Sequence, residues 1–402
     1  MYANRAINGL IVKCSKMFKA VLLAAAVAFG LNAAAVVDVV KDCGAKGDGV
    51  TDDTAAIQRA IDLTAKRGGG KIFFPYTTNG YLVASPAKEF ADNGRLVRAQ
   101  LVLPPGKAAI QFEGEFPAKM LYAYQVRPLA SVKNGFAPTK FGTMGMNNVC
   151  LRSTWEAPEV RDPEERPWSV IAAPEGDSCA GKFSRAFAAM KNLEIRVHLN
   201  KEKMYPTTSA AFLKNVSRLV IEDCQFCLDE NVGDTELGKF LVENPCHTVG
   251  LHTSGDQNDQ QILRGVAVQG FKYGFVFGEH VEADYLYAHN CEEAVVFHDA
   301  THLSHVSMLV AQHNRVILST TRGVLFGNRP NPVNLKIDLL NFEGGQTTGV
   351  PPWISHLKHG VFDPGNRLCG SVVWHEPWGK NEFPVVGAKQ FKVSRFGETG
   401  RD

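Results

Sequence analysis

Acidic residues and histidines follow a set of short, regularly spaced apolar segments. The segments 275–277, 295–297 and 316–318 are spaced 20 and then 21 residues apart, and 250–252 is an earlier, less regular member. If these segments are the same strand in successive turns of a solenoid, they stack about 4.8 Å apart and the residues that follow them stack too. The candidate catalytic residues at this edge are Asp256, Glu279, His280, His298 and Asp299.

Carboxylates on neighbouring coils offer the two roles that glycosidic cleavage requires. Each carboxylate disfavours ionisation of the other, so one pKa rises above its partner's and an acid and a base are separated. Directly stacked Glu279 and Asp299, about 5 Å apart, would suit a retaining hydrolase. Asp256 and Asp299, two coils apart at roughly 9 to 10 Å, would suit an inverting one. The turns of a solenoid are polar, so a polar edge without catalytic function is the competing interpretation.

Three tryptophans are candidate sugar-binding residues, because their flat apolar faces can stack on sugar rings. They are Trp155, Trp168 and Trp374, and packing beneath a loop is the alternative for each. A histidine cluster at 298–305 has no strong metal-ligand spacing. We interpret the cluster as a solvated turn and expect no cofactor, except calcium if the enzyme is a lyase.

The start of the chain that must carry these strands has clear local signals. A glycine-punctuated turn, 43–49, leads to Asp52 and Asp53, which we expect to stabilise the start of a helix. Apolar residues then recur on one helical stripe over 56–61, and three glycines at 68–70 end the helix. The segments 71–74 and 81–83 are predicted to be the first strands.

Residues 37–83 resemble the opening of the pectate-lyase-like, rhamnogalacturonase- and epimerase-type right-handed parallel β-helix proteins. The resemblance implies that the helix caps the first coil and that the glycine-rich strand begins the solenoid. The motifs of the polygalacturonase branch are not intact downstream, so no catalytic residue is carried over from it. The pectate lyase branch implies calcium-binding acids, for which Asp256 and Asp259 are available, and an arginine base, for which the candidates are Arg264, Arg315 and Arg322.

A repeat of asparagines supports the same architecture. Asn148, Asn192 and Asn215 each open a β-rich segment, 44 and then 23 residues apart, which fits a coil of roughly 22 residues. We place these asparagines at the corners between strands. No helical pattern separates the apolar segments, and the polar stretch 90–100 is interpreted as a loop. The predicted fold is all-β, a single-stranded parallel β-helix with an N-terminal capping α-helix, right-handed as the resemblance implies.

Three regions follow from the sequence. Residues 1–35 are interpreted as an N-terminal extension and signal peptide, 36–345 as the β-helix with its cap at 36–83, and 346–402 as an irregular segment packing on the last coils. Loss of the first 35 residues removes four basic side chains and changes the formal charge from +2 to −2, which gives no electrostatic basis for nucleic-acid binding. No apolar run is long enough to cross a membrane. The eight cysteines after Cys14 are expected to be small core residues, although export would permit disulfides.

The function expected from these observations is an exported enzyme, secreted or periplasmic, that cleaves glycosidic bonds in an acidic polysaccharide by carboxylate acid/base catalysis. A calcium-assisted lyase, with Arg315 near the substrate, is one alternative. A non-catalytic glycan-binding or structural β-helix is another. Either a monomer or a homotrimer is compatible with the sequence.

Overall fold

The computed structural model describes residues 36–85, 88–92, 95–104, 108–115, 149–155, 168–173, 187–199, 207–213, 216, 218–228, 247–253, 260–278, 280–291, 293–297, 303–312, 314, 316–319, 334–343, 367–375 and 391–395. In these residues one helix, α1, spans Thr54–Lys66. The strands are β1 Val36–Asp38, β2 Asp48–Asp52, β3 Gly69–Phe74, β4 Gly80–Val83, β5 Lys88–Asp92, β6 Arg95–Val102, β7 Ala109–Gly114, β8 Val149–Trp155, β9 Trp168–Ala172, β10 Ala188–Lys191, β11 Leu193–Leu199, β12 Thr207–Phe212, β13 Arg218–Glu222, β14 Gln225–Leu228, β15 His247–His252, β16 Gln260–Arg264, β17 Val266–Gln269, β18 Tyr273–Phe277, β19 Val281–His289, β20 Glu293–Phe297, β21 Leu303–Gln312, β22 Val316–Ser319, β23 Asn334–Glu343, β24 Arg367–His375 and β25 Phe391–Arg395.

The strands stack in parallel on three faces of a solenoid. The first face contains β1, β3, β7, β10, β13, β16 and the first halves of β19, β21 and β23. The second face contains β2, β4, β8, β11, β14, β17 and the second halves of the same long strands. The third face contains β6, β9, β12, β15, β18, β20 and β22. The predicted all-β parallel solenoid is confirmed.

The core lies inside the coils and is lined by alternate side chains of each strand. On the third face Phe275, Phe277 and Phe297 are almost fully buried, and their rings contact one another at centroid distances of 5.3 and 5.7 Å. Burying one such side chain contributes about 1.5 to 3 kcal/mol relative to leaving it exposed. The contact between Phe277 and Phe297 therefore joins successive coils as well as filling the interior.

The corner between the first and second faces repeats a left-handed backbone conformation. Asn192, Asp223 and Gly265 have φ values of 53°, 49° and 60° and follow residues that are paired in register on three successive coils. Short polar side chains and glycine tolerate this conformation best. The corner position predicted for Asn192 is confirmed, whereas Asn148 and Asn215 lie outside the described residues.

The predicted coil length of 22 residues is wrong in this part of the chain. Leu193 pairs with Val149, 44 residues earlier, so that interval is one coil rather than two. Ala188 pairs with Leu219, 31 residues later, which makes Asp223 the next corner after Asn192. Only the strands must stack, and the loops that join them can vary in length at a small entropic cost.

Helix α1 takes the place that a third-face strand would have in the first coil. The Gln58 side chain, only 8% exposed, acts there as a substitute for a neighbouring strand. Its Nε2 donates to the Val102 carbonyl at 2.8 Å, and its Oε1 accepts from the Val102 N–H at 2.9 Å. The capping role predicted for the helix thus includes hydrogen bonds to the backbone of β6.

The two aspartates at the start of α1 act differently from the prediction. Asp52 accepts hydrogen bonds from the N–H and hydroxyl of Thr54 and so does support the first helical residue.

Asp53 is the N-cap residue, but its side chain makes no capping bond. Its buried carboxylate instead accepts from the N–H groups of Lys46 and Gly47 at 2.6 and 2.9 Å. Burial raises the pKa of Asp53, against the effect of those two donors. Asp53 therefore holds the glycine turn against the helix.

Two further segments differ from the sequence-based expectations. The stretch 90–100, expected to be a loop, belongs to the antiparallel hairpin of β5 and β6. In the C-terminal segment, expected to be irregular, β24 and β25 continue the parallel pairing. Apolar residues alternate only weakly in both segments, so the sequence pattern did not reveal these strands. The described part of the chain contains no helix long and apolar enough to cross a membrane.

The cysteine expectation is confirmed for the four whose side chains are described: Cys43, Cys224, Cys227 and Cys291 are free and buried. Burial raises the pKa of both Cys224 and Cys291 to about 12. These thiols are therefore neutral and unreactive at ordinary pH.

Replacing Gln58 with Ala tests the capping arrangement. The N–H and carbonyl of Val102 would lose their partners at a site with little access to water, and we expect the free energy of unfolding to fall by about 2 to 4 kcal/mol. Urea denaturation measures the change. Gln111→Ala, which removes a half-buried amide that contacts the Glu113 side chain, is the matched control and should cost under about 0.5 kcal/mol. Equal losses in the two variants would contradict the capping role.

Candidate functional site

The strand register beneath the predicted catalytic edge is partly confirmed. Phe275 pairs with Val295, and Phe277 with Phe297, as the spacing of the apolar segments predicts. The third segment is two residues out of the predicted register, because Leu318 rather than Val316 pairs with Val295. The segment 250–252 is one residue out, because Leu251 pairs with Phe275. The two-residue slip leaves the same side chains facing inward, whereas the one-residue slip at 250–252 exchanges the inward and outward side chains.

Asp256, Glu279, His298, Asp299 and Arg315 lie outside the described residues.

The three tryptophans lie in strands, although their side chains are outside the description. Trp155 ends β8 on the second face, Trp168 begins β9 on the third face, and Trp374 lies in β24. The backbone positions of Trp155 and Trp168 are therefore on different faces of one coil. The structure does not bring them into one strand stack.

His280 is the one predicted catalytic residue within the description, and it occupies an unusual position. It is half-buried and has a φ of 59°, the left-handed region that non-glycine residues seldom adopt. Its carbonyl accepts a hydrogen bond from the Gln261 N–H of the preceding coil at 3.1 Å. Such a conformation persists only where the surrounding structure enforces it, and it occurs often at functional sites.

The residues around His280 explain how it is held. Gln261 is fully buried and its side chain is hydrogen-bonded to the Thr253 hydroxyl, which lies just after β15. The N–H of Val281, the next residue along, donates to the buried Ser304 hydroxyl at 3.2 Å. His280 is thus fixed between the preceding and following coils. Imidazole is a common general acid or base in enzymes, which keeps His280 among the candidate residues.

A row of polar side chains on the second face was not found by sequence reasoning. Arg196 pairs in register with Cys227, Cys227 with Gln269, and Gln269 with His289. Arg196 is 2% exposed and its guanidinium is paired with Glu194, so it is not accessible to a polymer. Gln269 and His289 are half-buried and could reach sugar hydroxyls. Coil lengths change along this row, so no fixed sequence period marks it.

Charged side chains on the first face are paired with one another. Lys191 contacts the Glu222 carboxylate at 3.2 Å, and Arg264 contacts its other oxygen at 2.5 Å. Lys71 and Glu113 form a similar pair at 2.7 Å. Opposite charges on neighbouring coils stabilise the stack modestly. Each of these three basic side chains is therefore engaged by a carboxylate.

The described residues contain no group of three or more histidine, cysteine, aspartate or glutamate side chains arranged to hold a metal ion. Asp256, the residue considered as a calcium ligand, is not among them.

Comparison with known proteins places the N-terminal region in a family. Residues 37–117 match the model of the family described as rhamnogalacturonase A/epimerase, pectate lyase-like. Alginate lyase 7 of Azotobacter vinelandii is 44% identical over 64 residues, 16% of this chain and 7% of the relative. Mannuronan C5-epimerase AlgE3 of the same organism is 61% identical over 112 residues, 28% of this chain and 6% of the relative. The chain therefore spans less than a tenth of the length of these relatives.

A solved structure was also found, the A-module of mannuronan C-5 epimerase AlgE4 from Azotobacter vinelandii. The match covers 90% of this chain and all of the module at 13% identity, with a TM-score of 0.24. Similarity at that level carries no argument about the site.

Replacing His280 with Asn tests its role. Asparagine tolerates the left-handed backbone, as Asn192 and Asn290 do in this fold. We expect the free energy of unfolding to change by less than about 0.5 kcal/mol. Turnover of a polysaccharide that the wild-type chain converts should fall at least about a hundredfold, because the imidazole is lost.

His280→Gly is the companion variant. Glycine relieves the backbone strain, so this variant should be at least as stable as the wild type and equally impaired. Full turnover in His280→Asn would remove His280 from the catalytic residues.

Proposed function

We propose a function for this chain from its membership of the pectate-lyase-like, rhamnogalacturonase- and epimerase-type superfamily of parallel β-helix proteins: it is an enzyme that acts on a polysaccharide containing uronic acids. The observation that carries the proposal is the similarity to an alginate lyase and to mannuronan C5-epimerases. Alginate and mannuronan are both polymers of uronic acids.

Elimination and C5 epimerisation of a uronate begin with the same step. A base removes the proton at C5, which is acidic because it lies beside the carboxyl group, and the developing negative charge must be stabilised. Elimination then expels the oxygen at C4, whereas epimerisation returns a proton to the opposite face of the ring. Both reactions require a base near neutral pH, an acid, and a positive or hydrogen-bonding group for the carboxylate.

The candidate residues have the types of side chain that these roles require. His280, held by its backbone between two coils, is proposed as the base or acid. Arg315 is proposed to bind the substrate carboxylate, and Asp256 to provide an oxygen ligand if calcium takes part. Gln269 and His289 on the second face, with Trp155, Trp168 and Trp374, are proposed to bind neighbouring sugars. Secretion or export to the periplasm, which the N-terminal segment favours, would bring the enzyme to such polymers.

Hydrolysis of a glycosidic bond by Glu279 and Asp299 is the second candidate. A probable glucan endo-1,3-beta-glucosidase of Arthroderma benhamiae, 40% identical over 84 residues, supports it. The pairing of Phe277 with Phe297 also supports it, because each candidate carboxylate follows its phenylalanine by two residues. We rank this candidate second because the alginate lyase and mannuronan epimerase similarities agree on a uronic-acid substrate.

The test is to incubate the purified chain with alginate, polygalacturonate and a neutral β-1,3-glucan. Ultraviolet absorbance reports unsaturated sugar ends from elimination, a reducing-end assay reports any chain cleavage, and proton NMR reports inversion at C5. We expect alginate or polygalacturonate to acquire unsaturated ends or inverted C5 centres, with the glucan unchanged. New reducing ends without ultraviolet absorbance would instead support hydrolysis.

Asp256→Asn, Glu279→Gln and Asp299→Asn then locate the chemistry on whichever polymer is converted. Loss of at least about a hundredfold in turnover is expected for a residue that transfers a proton. Full activity in all three variants would show that this edge is only a polar surface. Binding without conversion of any of the three polymers would favour a non-catalytic glycan-binding protein.

A further inference from the structure

We propose that Glu282, His305 and Asp338 form a pH-sensitive clamp that joins three successive coils of the solenoid. The three residues lie on the outward side of the first face, on the neighbouring strands β19, β21 and β23. We call this group the three-coil clamp. The inference concerns the stability of the later coils and does not depend on the proposed function.

The contacts of His305 define the clamp. Its Nδ1 lies 2.9 Å from Glu282 Oε1 on the preceding coil, and its Nε2 lies 2.7 Å from Asp338 Oδ2 on the following coil. A neutral imidazole has one N–H donor and one acceptor nitrogen, whereas a protonated ring has two donors. Both contacts can be hydrogen bonds only when His305 is charged. Loss of one proton would leave a nitrogen lone pair facing a carboxylate.

The charged groups around His305 favour the protonated ring. Glu282 and Asp284 project from β19, and Lys336 and Asp338 from β23. Lys336 pairs in register with His305 and would oppose its protonation, but the Lys336 ammonium lies 2.7 Å from the other oxygen of Asp338. Asp284 directs its Oδ1 at the N–H groups of Gly265 and Tyr285. The two side chains that contact the ring, Glu282 and Asp338, are both carboxylates, so the charge next to the ring is negative.

The same contacts determine the direction in which the pKa of His305 is shifted. The hydrogen bond to Asp338, and then that to Glu282, raise the pKa of His305 despite its partial burial. Hydrogen bonds from Lys336 and His305 lower the pKa of Asp338. Because the His305 pKa is higher in the folded chain than in the unfolded chain, its contribution to stability is complete below about pH 6.5 and is lost as the pH rises through the folded pKa. The clamp is closed in mildly acidic conditions and open in alkaline ones.

A metal ion is not the better explanation for this group. Metal-bound histidine would require a nitrogen lone pair directed at the ion, and here both ring nitrogens lie within hydrogen-bond distance of carboxylates. The described residues, these three included, contain no group of histidine, cysteine, aspartate or glutamate side chains arranged to hold a metal ion. A protonated His305 ring that donates to both carboxylates therefore explains the two contacts.

The experiment measures the His305 pKa by NMR and the hydrogen-exchange protection of β23 amides at about pH 5.5 and about pH 8.5, on either side of the ordinary histidine range. We expect His305 to titrate above the value of an unfolded peptide. Protection factors in β23 should fall about two- to fivefold at the higher pH in the wild type, the range expected for a partly exposed ion pair. His305→Gln should remove that pH dependence.

Two more variants make the outcome specific. Glu282→Gln keeps the size of the partner, removes its charge, and should lower the His305 pKa without unfolding the chain. Glu222→Gln removes a carboxylate on the same face that pairs with Lys191 and Arg264, and should leave the β23 pH dependence as in the wild type. A His305 pKa at or below that of an unfolded peptide would overturn the proposal. So would an unchanged pH dependence of β23 protection in His305→Gln.

Discussion

Every coil must satisfy the backbone hydrogen-bonding groups of the next coil, and the rest of the structure depends on this requirement. A parallel β-helix leaves a row of N–H and carbonyl groups at each open end, and such an edge recruits other chains unless it is covered. At the start of this chain α1 covers one strand stack, and the Gln58 amide supplies both a donor and an acceptor to Val102. Asp53 binds the turn that precedes the helix. The cap therefore satisfies backbone hydrogen-bonding groups as well as covering the apolar core.

The same pairing explains why side chains distant in the sequence meet on one surface. Residues at one position of a strand recur about 4.8 Å apart on successive coils, whatever the length of the loops between them. Glu282 and His305 meet in this way, as do Lys191, Glu222 and Arg264, and Asp338 lies two residues beyond the register partner of His305. A solenoid can thus build a charged cluster or a binding row from residues separated by 20 residues or by more than 40.

The sequence predicted the elements that local chemistry determines. The glycine turn, the apolar stripe of α1 and the phenylalanine-rich strands around Phe275 and Phe297 each carry their own signal. Register between coils was harder to predict, because it depends on loops whose lengths follow no period: the 44 residues from Val149 to Leu193 are one coil. The polar row at Gln269 and His289 was missed for the same reason. His280 was predicted from its place after an apolar strand, but its left-handed backbone could not be predicted from the sequence.

The central claim is the proposal that this chain removes the C5 proton of a uronic acid in a polymer. The most direct measurement is proton NMR of alginate and polygalacturonate after incubation with the chain in deuterated water. The account predicts deuterium at C5 of the polymer, or unsaturated ends that have lost the C5 proton, in one of the two. Cleavage of either polymer that yields neither deuterium at C5 nor unsaturation would contradict it.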